Sequence, residues 1–162
     1  MVGGMGHTSS VALGYSLSNN HKTLCIDGDG SFLMNVQELE TISYNKLPIK
    51  IFIINNGGYA LIKGTQEGFL NKNYVGVDKS SGLGIPNFAK VAYAYSIKYE
   101  KISTNDELNT KLSNSLIQNE PIIFDVMVDP DQRVIPKLES GKVLHDMAPN
   151  LDQKIIDKIM KV

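Results

Sequence analysis

Only one of the 162 residues is a cysteine, so no disulfide can form within the chain, and a reducing, cytoplasmic setting is expected. No apolar run approaches the roughly 18 residues that cross a bilayer. The N-terminus carries neither the basic nor the apolar region of a secretory leader. Charge of neither sign is in excess: a net charge of −1 leaves no broad basic face for nucleic acid. His7, His21 and His145 have no metal-ligand spacing to one another or to Cys25. Internal repeats and low-complexity tracts are also missing. What remains is a membrane-independent chain of one-domain length, whose 42% hydrophobic residues suffice for a compact core.

Against that background two short motifs stand out. Asp29, in Cys25-Ile-Asp-Gly-Asp-Gly-Ser31, is followed 27 residues later by Asn56, in Phe52-Ile-Ile-Asn-Asn-Gly-Gly-Tyr59. Residues 23–27 form a short apolar stretch ending in glycines, residues 32–44 have helical spacing, and residues 49–55 are a β-branched run. That order reads as strand, helix, strand, a unit whose strands run parallel. A helix of about 13 residues spans roughly 20 Å and a seven-residue strand roughly 23 Å, so the chain goes out and returns the same distance. Asp29 and Asn56 are therefore expected to meet at one sheet edge.

The residue types at that edge suit a metal-bridged diphosphate. Gly28 and Gly30 leave room for a ligand near the backbone, and Ser31 is expected to open a helix whose free N–H groups attract phosphate. A carboxylate, an amide oxygen and a backbone carbonyl such as that of Gly58 are hard oxygen ligands of the kind magnesium takes beside phosphate. Either motif alone also serves as an ordinary turn. Read from Asp27, the same segment puts oxygen side chains at several places of an EF-hand loop, but Phe32 occupies the place that needs glycine and a strand precedes it.

Further along, residues 59–69 begin as a helix, and residues 64–84 read either as a mobile surface loop or as a lid. Phe88, Val91, Ala92 and Tyr95 have helical spacing, a strand is expected near residues 97–102, Thr104 or Asn105 caps another helix, and residues 122–128 form an apolar strand. The alternation predicts an α/β fold, a parallel sheet with helices on both faces. Cys25 reads as a buried core thiol, Tyr93, Tyr95 and Tyr99 as packing residues, and Asp125, Asp129 and Asp131 as a solvated turn at a strand end. His7 either contacts a ligand or belongs to the cap of the following helix.

Gly28-Asp29-Gly30, a gap of 24 residues, then Asn55-Asn56 resembles the thiamine diphosphate signature of the 2-oxo acid decarboxylase and acetolactate synthase superfamily. Gly3-Gly-Met-Gly-His7, followed by a small-residue helix over residues 9–17, looks like the segment that holds the aminopyrimidine in that family. The resemblance covers roughly residues 3–130 and implies the diphosphate-binding domain of a thiamine diphosphate-binding fold. It implies that Met5 supports the bent cofactor, that the Gly3 carbonyl accepts from its 4′-amino group, and that Asp29, Asn56 and the Gly58 carbonyl hold Mg2+. Gly28, Gly30, Ser31, His7 and Tyr59 join the cofactor-binding set.

Two subfamilies compete. Gly3-Gly-Met-Gly-His-Thr-Ser-Ser10 is similar to phosphonopyruvate and sulfopyruvate decarboxylases, whereas Asn35-Val-Gln-Glu-Leu-Glu-Thr41, Leu47-Pro-Ile-Lys-Ile51 and Val128-Asp-Pro-Asp-Gln132 look like acetolactate synthase-type proteins. Pro136-Lys-Leu-Glu139 and Leu144-His-Asp-Met-Ala-Pro149 look like the C-terminal tail of the second group. The resemblance thus implies one domain over residues 1–162, with 130–162 as a C-terminal tail. It also implies action on a 2-oxo acid, as a decarboxylase or carboligase, within an oligomer. No catalytic residue is identified in the chain itself, because the family's activating glutamate belongs to a pyrimidine-binding domain that has no counterpart here. A truncated sequence or a small subunit, catalytically incompetent alone, is the expectation, with a non-catalytic cofactor-binding module as the alternative.

Overall fold

The computed structural model describes residues 4–19, 21–132, 134–138, 141–143, 146–149 and 152–159; Gly3 and His145 lie outside the described residues. The chain divides into two compact units, Met1–Asp131 and Gln132–Val162. The smaller contains a two-stranded antiparallel ribbon and a short helix over Gln153–Ile159.

In the larger unit, helix α1 (His7–Asn19) leads into β1 (Thr23–Gly28), the short α2 (Asp29–Phe32), a 3-10 turn (Leu33–Asn35), α3 (Glu38–Tyr44) and β2 (Ile49–Asn55). Next come α4 (Ala60–Phe69), a 3-10 turn (Lys79–Ser81), α5 (Phe88–Ala94), β3 (Lys98–Ile102), α6 (Asn105–Ser115) and β4 (Ile122–Met127). The four strands form a wholly parallel sheet in the order β1-β2-β4-β3. Thr23 pairs with Ile49 and Gly28 with Ile54, so β1 and β2 run level and finish together.

β2 is central, and its β-branched run fits burial on both faces. Ile49, Ile51 and Ile53 pack with Cys25 and Ile123 against Ala12 and Leu13 of α1, Phe32 of α2, Leu39 and Ile42 of α3, and Phe88 and Ala92 of α5. Phe32 and Phe88 meet edge-on at 6.0 Å between centroids. Burying side chains of this size contributes about 1.5–3 kcal/mol each. On the opposite face Phe52 stacks on Phe124 at 4.7 Å, and Leu108 and Leu112 of α6 cover Ile102, Ile122 and Phe124. Helices therefore lie on both faces. Leu24 and Ile26 of β1, an edge strand, are each 60% exposed.

Lys50 is buried in β2 and survives there because its Nζ reaches the Glu120 carbonyl at 2.6 Å. Thr104 caps α6 by accepting from the Glu107 N–H, and Asn87 caps α5 by accepting from that of Lys90. Residues 32–44 are not one helix. The backbone tightens into a 3-10 turn over Leu33–Asn35 before α3 begins, and there Asn35 donates from Nδ2 to the Gly6 carbonyl at 2.5 Å. Nor does Ser31 open the helix after β1: Gly28 is its N-cap and Asp29 its first residue. With 29–35 helical, the segment cannot form an EF-hand loop.

Candidate functional site

Because β1 and β2 end level, Asp29 and Asn56 emerge one residue beyond each strand at the same edge. They line one cavity of about 820 Å³ with Gly4, Met5, His7, Gly28, Gly30, Ser31, Gly58 and Tyr59. All the site residues anticipated from the sequence border this space, apart from Gly3, which is not described.

Asp29 is the residue around which the edge is organised. It is 1% exposed. Its Oδ1 accepts from the Gly30 N–H at 2.6 Å, and its Oδ2 accepts from Gly57 at 2.7 Å and Gly58 at 3.1 Å. Burial nevertheless pushes its carboxyl above the ordinary range, outweighing those N–H groups. Among the described residues no lysine, arginine or histidine pairs with it. A buried carboxylate without a positive partner favours a cation beside it. Asn56 turns its Oδ1 back to the Gly58 N–H at 3.2 Å, so the two side chains converge on the same glycine.

The surrounding backbone is held from three sides. The Gly6 N–H donates to Ser31 Oγ at 3.0 Å and the Gly6 carbonyl accepts from Asn35, which fixes the loop carrying Met5 beside α2. Gly6 has φ of +80°, and a Cβ there would lie 2.9 Å from that of Met34. Gly58 bridges Asp78, Tyr59 donates its N–H to the Val77 carbonyl at 2.9 Å, and a Cβ on Gly58 would lie 2.1 Å from that same oxygen. The Tyr59 ring lies over Gly30, where a Cβ would come within 2.2 Å of it.

The segment after α4 is tied down by side chains. Lys63 pairs with Asp78 at 3.3 Å and approaches Asp131 at 3.9 Å, and its ammonium lies over the Tyr74 ring. Asp78 and Ser81 form a reciprocal cap. The hydroxyls of Ser80 and Ser81, with Lys63, hold the Asp78 carboxyl well below the usual range.

Several polar residues of this end were not anticipated. Asp27 is buried and borders the cavity; its Oδ1 accepts from Gly28, while its Oδ2 has no partner among the described residues. Asp125 is no solvated turn residue: it is 5% exposed within β4 and separate from Asp129 and Asp131. Its oxygens accept from Asn55 Nδ2 and the Tyr99 hydroxyl, each at 2.8 Å. An acid inside an otherwise apolar strand was the available signal. Cys25 is buried, and burial together with Asp27 pushes its thiol up to about 12.

The donor set fits a magnesium-bridged diphosphate: acid, carboxamide and carbonyl oxygens in a glycine-lined cleft, where a Cβ added at Gly30 or Gly58 would collide. No group of three or more histidine, cysteine or acidic side chains that could hold a metal is found among the described residues. Nor is any helix among them long and apolar enough to cross a membrane.

Residues 1–126 match the family described as thiamine pyrophosphate enzyme, C-terminal TPP binding domain. The chain is 33% identical over 142 residues to the acetolactate synthase large subunit of Cyanidium caldarium, covering 87% of this chain and 24% of that protein. It is 31% identical over 160 residues to acetolactate synthase 1, chloroplastic, of Zea mays, covering 96% and 25%. The chain thus spans about a quarter of the length of these relatives. Among solved structures, the thiamine diphosphate-dependent 4-hydroxybenzoylformate decarboxylase of Rhodococcus jostii RHA1 superposes with a TM-score of 0.69 at 24% identity, covering 80% of this chain and 24% of that one. That likeness establishes the fold.

Proposed function

The chain belongs to the thiamine pyrophosphate enzymes, as a C-terminal TPP binding domain related to acetolactate synthase, and from that premise we propose that it holds thiamine diphosphate through Mg2+ at the Asp29–Asn56 edge. The carrying observation is the convergence of Asp29, Asn56 and Gly58 on one turn at the ends of two level strands.

Asp29, Asn56 and the Gly58 carbonyl supply the metal's protein oxygens, and Gly28, Gly30 and Ser31 line the diphosphate. Met5 supports the cofactor from the loop pinned by Ser31 and Asn35, Gly3 accepts from its amino group, and His7 and Tyr59 border the ligand. The bound cofactor supplies a carbon nucleophile and an electron sink for decarboxylating a 2-oxo acid. The domain's own work is to bind and orient it.

The reaction proposed is that of an acetolactate synthase-like decarboxylase, able to join its product to a second carbonyl. A pyrimidine-binding domain or subunit completes the site with the acid that this domain lacks, and the domain alone is inactive. Exposed Leu24, Ile26, Leu61 and Phe69 support an oligomeric, partnered state. Calorimetric titration of magnesium and thiamine diphosphate into the intact protein tests the cofactor assignment, with Asp29→Ala as control. Acyloin formation from a 2-oxo acid supports the carboligase reading. Carbon dioxide release without ligation indicates a simple decarboxylase of the phosphonopyruvate or sulfopyruvate type, and neither product indicates a cofactor-binding module.

A further inference from the structure

Asp125, like Asp27 a buried acid near the site, has no part in the proposed ligand set. Asp125 lies in β4, and in parallel pairing it sits level with Ile53 of β2, two residues before Asn55. An ionised carboxylate only accepts hydrogen bonds. The Tyr99 hydroxyl occupies Oδ2 at 2.8 Å, leaving Oδ1 to Asn55 Nδ2, also at 2.8 Å. Asn55 must then point its amide nitrogen at Asp125 and its oxygen the other way. That oxygen accepts from the Gly57 N–H at 3.3 Å, and the same N–H donates to Asp29 Oδ2 at 2.7 Å. A line of hydrogen bonds thus runs from Tyr99 of β3 through Asp125 and Asn55 to the Gly57 N–H, which Asn55 shares with Asp29.

We propose that Asp125, braced by Tyr99, is a positioning residue for the cation site, setting the orientation of the Asn55 carboxamide and through it the 55–58 turn that presents Asn56 and Gly58 opposite Asp29. The inference rests on the magnesium–thiamine diphosphate reading and adds to it a pair of residues that touch neither metal nor cofactor. The Tyr99 phenol is pushed up to about 12, by burial and then by Asp125, so it keeps its proton and remains a donor. Asp125→Asn offers an amide nitrogen to Asn55, lets that carboxamide turn over, and removes the longer of the two bonds that hold the Gly57 N–H.

Geometry and bulk stability can be separated through metal choice. Magnesium demands a near-ideal octahedron whereas calcium accepts flexible coordination, so loosening the turn weakens magnesium more than calcium. Affinities for each ion are measured by calorimetry in the presence of thiamine diphosphate on the intact protein, wild type, Asp125→Asn and Tyr99→Phe. In Asp125→Asn, magnesium affinity is expected to fall about 10- to 100-fold, the range typical of lost outer partners, with a smaller loss for calcium. Tyr99→Phe should shift the ratio in the same direction, and decides the matter if Asp125→Asn does not fold. Equal losses for both ions, or none, overturn the positioning role while leaving the cofactor assignment intact. Wild-type protein that binds neither ion with the cofactor overturns both.

Discussion

The Gly57 N–H donates to Asp29 Oδ2 at 2.7 Å, joining the turn after β2 to the first residue after β1. Asp29 is thus a structural pin as well as the proposed metal ligand. Replacing it by alanine removes the only carboxylate from the proposed ligand set, takes the acceptor from the Gly30 N–H and leaves Gly57 and Gly58 only their longer bonds to Asn55 and Asn56. Asp29→Ala should cost roughly 3–5 kcal/mol of metal-dependent cofactor affinity, read by titration calorimetry. Unchanged affinity would remove Asp29 from the site.

Two glycines of the same edge should behave differently. A Cβ on Gly58 would meet the Val77 carbonyl at 2.1 Å, and backbone cannot swing aside as a side chain can, whereas one on Gly28 meets nothing within 4 Å. Gly58→Ala should lower cofactor-free stability by about 1–3 kcal/mol, as overpacking does. Gly28→Ala should stay within about 0.5 kcal/mol and show any defect only on cofactor titration. Denaturant unfolding of both variants makes the comparison, and equal stabilities would refute the close packing at Gly58.

Cys25 should be unreactive in the folded protein. Its thiol is raised from 9.0 to about 12, so between those values the folded state holds a proton that the unfolded chain releases. Its contribution to stability is therefore present below about pH 9 and declines as pH rises towards 12. Cys25→Ser should lack this part of the alkaline decline. Unfolding midpoints across that range, with alkylation at pH 8 under native conditions, provide the check; rapid native labelling would contradict the burial.

Lys63 gathers Asp78, Asp131 and the Tyr74 ring, and Asp78 caps the turn facing Gly58. Lys63→Ala should expose residues 70–84 to limited proteolysis while leaving the sheet intact by circular dichroism. Because the folded Asp78 carboxyl is depressed, its contribution is present above the ordinary carboxylate range and is lost as pH falls below it. Protection of this segment should accordingly weaken in acid. A cleavage pattern identical to wild type would show that the ion pairs do not hold the segment.

Sequence pattern carried the strand ends well. β2 coincides with the β-branched run at residues 49–55, and its level parallel pairing with β1 brings Asp29 and Asn56 to one edge, as the strand, helix, strand reading expected. The break between α2 and α3 was not legible. Phe32, Leu39 and Ile42 keep a helical period through it, and the bond made there, from Asn35 to Gly6, spans 29 residues of chain. Residues 64–84 read as lid or mobile loop because the Lys63, Asp78 and Ser81 bonds that order them leave no periodic trace. The Tyr99–Asp125–Asn55 line depends on β4 inserting between β2 and β3, a strand order that hydrophobic spacing cannot express.

The most direct test is diffraction from crystals of the intact protein grown with thiamine diphosphate and Mn2+ in place of Mg2+, using the manganese anomalous signal to locate the ion. The account predicts one strong peak within coordination distance of Asp29, Asn56 and the Gly58 carbonyl, with diphosphate oxygens completing the shell. A cofactor bound with its metal elsewhere, or ligated by neither Asp29 nor Asn56, would contradict it.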